Sequence, residues 1–96
     1  MLSASSEKTF SVDWSRDIHK FVLHGMRILL DVNSGSVHII DKTAWDVLEA
    51  LEKNCGKVAA AIAELEDSYS PDQVLEVVDE LSQLEERKLL FTSDYQ

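Results

Sequence analysis

The chain has one cysteine, one proline, three glycines and nine basic residues among 96, and each shortage excludes a class of protein. A single cysteine, Cys55, leaves no intrachain disulfide, no CxxC redox pair and no cysteine-based zinc site. Beside Gly56 at a helix end it reads as a small buried hydrophobe or a plain thiol. Nine basic against eighteen acidic residues give a net charge of −9. Nucleic-acid binders draw most of their affinity from cations on phosphates, so no nucleic acid is expected here and a basic peptide or protein is. Apolar runs are only a few residues long, so none spans a bilayer. The start, "MLSASSEKTFSVDW", lacks a basic segment followed by an apolar one, which argues against secretion and for the cytoplasm. There is no glycine-rich phosphate loop, nucleophile motif or HExxH. The acidic residues of "ELED" and "LEERK" have the spacing of solvated helix faces. No catalytic residue is assigned, and the chain reads as a non-enzyme.

What remains is ordinary for one globular domain, with 45% hydrophobic and 28% charged residues. Residues 1–16 are polar apart from Phe10 and Trp14, and loose structure is expected there. "IHKFVLH" predicts a first strand, turning at His24-Gly25 into a second from Met26 to Asn33. A two-residue turn at Ser34-Gly35 leads to a third, Ser36 to Ile40. That register sets Phe21 opposite Ile28, Leu30 opposite Ile39, Val32 opposite Val37 and Asp31 opposite His38. A four-residue loop would preserve the same faces. One face collects Phe21, Leu23, Ile28, Leu30, Val32, Val37 and Ile39. The other carries Lys20, Val22, Arg27, Leu29, Asp31, His38 and Ile40. Such alternation predicts an antiparallel sheet covered on its apolar side. His19 and His38 fall on opposite faces and His24 in a turn, so no metal site is expected.

Asp41 predicts a helix cap, with Ala44, Val47, Leu48 and Leu51 at helical spacing as far as Asn54, and Gly56 as the stop. A second helix runs from about Lys57 to Glu66. "SPDQ" is a capping-box pattern opening a third helix to about Arg87. "LLFT" forms a short terminal strand or lies extended. The order β-β-β-α-α-α is α+β, compatible with a winged helix-turn-helix.

The most informative feature is an interface. Strand three is an edge of a simple meander, and "SVHII" has neither lysine nor proline to protect it. Either "LLFT" or a neighbouring domain covers this edge, or an extended peptide joins it by β-augmentation. The third helix has an apolar arc of about 180°, wider than a core stripe needs. Broad core burial explains that arc, or else Leu75, Val78 and Ser82 line a groove beside the edge.

"IHKFVLHGMRILLDVNSGSVHIIDKTAWDVLEAL" resembles the N-terminal segment of SCIFF-peptide maturases, most specifically at "LDVNSGSVHIID" and more weakly as far as Phe91. Those radical SAM enzymes make thioether cross-links in six-cysteine ribosomal peptides. The resemblance implies that residues 17–92 form a PqqD-like RiPP recognition element, a winged-helix domain that binds a precursor's leader peptide. The leader would pair with the third strand at Ser36, Val37, His38, Ile39 and Ile40 and pack on the third helix, where Leu75, Val78 and Ser82 are the contacts expected from periodicity. Family members continue into a barrel with iron–sulfur clusters on CxxxCxxC. With one cysteine, this chain holds no cofactor of its own, the clusters and S-adenosylmethionine being implied for the parent enzyme. Residues 93–96 would lead toward that catalytic domain, supplied in cis or in trans, and an excised recognition domain is expected. The alternatives are a winged-helix nucleic-acid binder and a dimerisation module using the same edge. Arg87 and Lys88 are the only basic residues of the third helix, which disfavours the first.

Overall fold

The computed structural model describes residues 7–91. β1 (Ile18–Leu23) turns into β2 (Met26–Asp31) through His24 and Gly25, with φ of 52° and 78°. Positive φ at both positions makes the tight hairpin turn whose twist suits the flanking strands. β2 reaches β3 (Ser36–Ile40) through four residues, not two. Asp31 holds that loop: its carbonyl accepts from Gly35 N at 2.8 Å and its carboxylate from Ser34 N at 3.3 Å. The register is therefore displaced from the expected one. Ile39 lies opposite Ile28, Val37 opposite Leu30, His38 opposite Leu29 and Ser36 opposite Asp31. The displacement is by two residues, so the faces survive while the expected Asp31–His38 pair does not form.

Asp41 alone joins the sheet to α1 (Lys42–Lys53), and its carboxylate accepts from Ala44 N at 2.9 Å. α2 (Val58–Glu64) and α3 (Pro71–Glu86) complete an α+β fold of three helices on a three-stranded antiparallel sheet. Ser70 and Gln73 make both bonds of the capping box, at 3.2 and 2.9 Å, with Pro71 at the first helical position.

The face expected to be covered is the one left outside. Ile18, Leu29 and Asp31 are buried on the helix side, whereas Phe21, Leu23, Val32, Val37 and Ile39 are exposed. Ile28 is sheltered on the outer face, where Phe21 and Ile39 are its cross-strand neighbours. Counting apolar residues favours the wrong face because the covered one satisfies its polar groups instead. Lys20 Nζ lies 2.8 Å from Glu49 and 3.3 Å from Glu52 of α1, and 5.0 Å above the Trp45 ring. His38 Nε2–H donates to the Leu89 carbonyl at 2.9 Å, and Asp31 is spent on the turn. With those groups paired, Leu29, Ile18 and Ile40 pack on the helices.

The expectation of loose structure over residues 1–16 does not hold for residues 7–16, and residues 1–6 lie outside the described residues. Phe10 N donates to Gly56 O at 2.8 Å and Val58 N to Lys8 O at 3.0 Å, so the segment straps the turn between α1 and α2. Phe10 is buried, and its ring lies 5.0 Å from Phe91, which in turn meets Trp14 at 5.3 Å. Two isolated aromatics in a polar stretch suggest loose structure, and it is Phe91, far along the chain, that supplies their partner. Cys55 is exposed, a plain thiol. Leu89–Phe91 forms no strand; Leu90 is buried in the core and the segment runs past the inner face of β3. Residues 93–96 lie outside the described residues.

Candidate functional site

The sheet order leaves β3 at an edge, with no strand beside it among the described residues. Alternate residues of an edge strand turn their N–H and C=O groups away from the sheet. Side chains alternate too: His38 and Ile40 point to the helix layer, Val37 and Ile39 away from it. Ser36 is half-buried at the hairpin opposite Asp31.

On the helix side of this edge lies a cleft of about 240 Å³. Ile40 and His38 form one wall, Val77, Leu81 and Leu84 of α3 the other, with Ala44 at the base. The single-residue link at Asp41 turns the chain straight from β3 into α1, leaving room for α3 to pass alongside. Of the helix residues expected to line the groove, none does. Val78 is fully buried, Leu75 packs against the core, and Ser82 Oγ is buried without a hydrogen-bond partner. The apolar arc of α3 has two flanks, and it is Val77 and Leu84, not Leu75 and Ser82, that border the cleft. Periodicity finds both flanks, and only the placement of β3 selects one.

One end of the cleft is acidic. A second hollow of about 210 Å³ shares Asp41, Val77 and Glu80 with it and adds Glu76, Gln73 and Thr43. No lysine or arginine lines either one. The arrangement offers open backbone groups, an apolar floor and a carboxylate rim, suited to an extended, partly basic segment.

Nearby, Asp46 accepts from Lys42 Nζ and from the Tyr69 hydroxyl, each at 2.7 Å. The Lys42 hydrogen bond and then that of Tyr69 hold the Asp46 carboxyl below its usual range, while the Asp46 hydrogen bond raises Lys42 and Tyr69. This pinned cluster ties α1 to the segment before α3 and leaves no free acid or base. Among the described residues no three His, Cys, Asp or Glu side chains gather as a metal site, and no helix is long and apolar enough to cross a membrane.

The family model of coenzyme PQQ synthesis protein D (PqqD) matches residues 27–90, from β2 past the end of α3. No curated protein matches the chain.

Proposed function

The chain belongs to the PqqD family of non-catalytic, peptide-binding RiPP recognition elements that work with a partner enzyme, and we propose that it holds a precursor's leader as a fourth strand on β3. The observation that carries this reading is the coincidence of a β3 edge with no strand paired to it among the described residues and the cleft of Ile40, Val77, Leu81 and Leu84. Main-chain hydrogen bonds to β3 supply affinity independent of sequence, and alternate side chains entering the cleft supply selectivity. Holding the leader raises the local concentration of the precursor's core at the catalytic partner, so binding contributes to turnover without any chemistry here.

The finer reading follows the resemblance at "LDVNSGSVHIID". The precursor is then cysteine-rich, and the partner is a radical SAM thioether-forming maturase, in cis or in trans. Its iron–sulfur clusters and S-adenosylmethionine reside in the partner, because Cys55 alone cannot hold a cluster.

The test is an NMR titration of the isotope-labelled chain with the leader of a cysteine-rich precursor. Shifts are expected on Ser36 to Ile40 and on Val77, Leu81 and Leu84. Leu84→Ser should weaken binding about tenfold, the scale of one lost apolar contact, while Leu75→Ser should not. Affinity should fall with added salt, since the rim is acidic. Silence of these amides at millimolar peptide would overturn the proposal.

A further inference from the structure

If β3 takes up a leader strand as proposed, on which all that follows rests, that strand presents two faces. At most sheet edges only one of them meets protein, and the other faces water. Here the outer side is apolar as well. Val37 and Ile39 are 61% and 68% exposed and stand on the edge strand itself, with Phe21, Leu23 and Met26 also exposed behind them on the same face. None of the three strands places a lysine, arginine, aspartate or glutamate on that face, where His19, opposite Leu30, is the one polar residue of the strands. An added strand would set its outward side chains about 5 Å from those of Val37 and Ile39. Its inward side chains would meet Ile40, Leu81 and Leu84, and its end near Asp41 would meet Glu76 and Glu80.

We propose that the cognate segment carries apolar side chains at consecutive positions, read by the cleft and the outer face together, with a lysine or arginine at the end beside Asp41. An alternating apolar–polar strand would fill the cleft but leave Val37 and Ile39 in water. Charge selects this occupant over a second copy of the chain. Each copy carries −9, and no lysine or arginine lines the cleft to offset it. A basic-ended segment gains from the carboxylates that a second copy would add to.

The experiment uses the full chain and three synthetic peptides, with affinity read by fluorescence anisotropy and location by amide shifts. One peptide has consecutive apolar residues and a terminal lysine, the second has serine at the outward positions, and the third replaces the lysine by glutamate. Serine at the outward positions should weaken binding at least tenfold. Glutamate should weaken it several-fold at low salt, a gap that narrows as salt is added. Ile39→Thr, which keeps β-branching at an exposed site, should weaken the first peptide and leave the second unchanged. Equal affinity of the first two peptides, or an equal effect of Ile39→Thr on both, overturns two-faced reading. An unchanged affinity with glutamate overturns the charged end. Failure of all three to shift β3 amides removes the leader-binding reading itself. A chain that sediments as a dimer through β3 and stays so with peptide assigns the edge to a second copy.

Discussion

Gly56→Ala should cost far more than Gly25→Ala, although both glycines have similar positive φ, 82° and 78°. An alanine in the left-handed region is strained by roughly 1–2 kcal/mol at either site. Both substitutions also shrink the unfolded ensemble equally, which offsets about 0.4–1 kcal/mol. The surroundings separate them. A Cβ at Gly25 meets nothing within 4 Å, whereas at Gly56 it would stand 2.0 Å from the Phe10 carbonyl oxygen. That atom is backbone and cannot rotate away, so the strap must move by an ångström or more. The displacement breaks the Phe10–Gly56 and Lys8–Val58 hydrogen bonds, worth about 1 kcal/mol each, and lifts part of the Phe10 ring from the core. Total loss of that ring's packing would cost about 3–5 kcal/mol, so partial loss adds roughly 1–2. The difference between the variants is then about 2–4 kcal/mol, or roughly 10–25 °C in Tm for a domain of this size. Urea unfolding of both variants with equal m-values measures it. If the two lose the same stability within about 0.5 kcal/mol, Phe10 is not strapped over Gly56 and the placement of residues 7–16 is wrong.

Two further predictions concern charge. Lys20→Glu would set a third carboxylate against Glu49 and Glu52 beneath the sheet and should cost about 2–3 kcal/mol, the exposed sides of both partners moderating the loss. Lys20→Met keeps the stem on Trp45 and should stay within about 1 kcal/mol of the parent; a large loss for both by urea unfolding would show that the ammonium charge, and not the stem, matters. Asp46→Asn should cost less than about 1 kcal/mol at neutral pH, because the group is partly solvated. The folded-state pKa of Asp46 lies below its unfolded value of about 3.9. Its contribution is therefore complete above that value and disappears as pH falls through the folded pKa, so the stability curves of parent and variant should converge on acidification. Curves that stay parallel down to pH 2 would assign the effect to packing.

Much of the architecture is local and could be read from the chain. The Asp41 cap and the Ser70–Gln73 box depend on residues within three positions of each other, and they stand where the pattern puts them. Period-two alternation divides the strands into the right two sets even though the Ser34-Gly35 turn is longer than expected, because a displacement by two keeps parity. The edge at Ser36 to Ile40 follows from the same meander. What the sequence alone determined, then, is the order of the three strands and three helices, the caps that open α1 and α3, the two faces of the sheet and the place of the third strand at its edge.

Three matters depended on contacts between residues distant in sequence, which no local pattern encodes. The side of the sheet that the helices cover was decided by partners for Lys20 and His38 lying at Glu49, Glu52 and Leu89, so the more polar face went inside. The flank of α3 that meets β3 was decided by the one-residue link at Asp41 and the path of the helices, selecting Val77 and Leu84 over Leu75 and Ser82. The N-terminal strap was decided by the gap that Gly56 leaves for the Phe10 backbone and by the ring of Phe91. Local sequence sets backbone preference within a few residues, but burial is shared among elements, and only the assembled fold divides it.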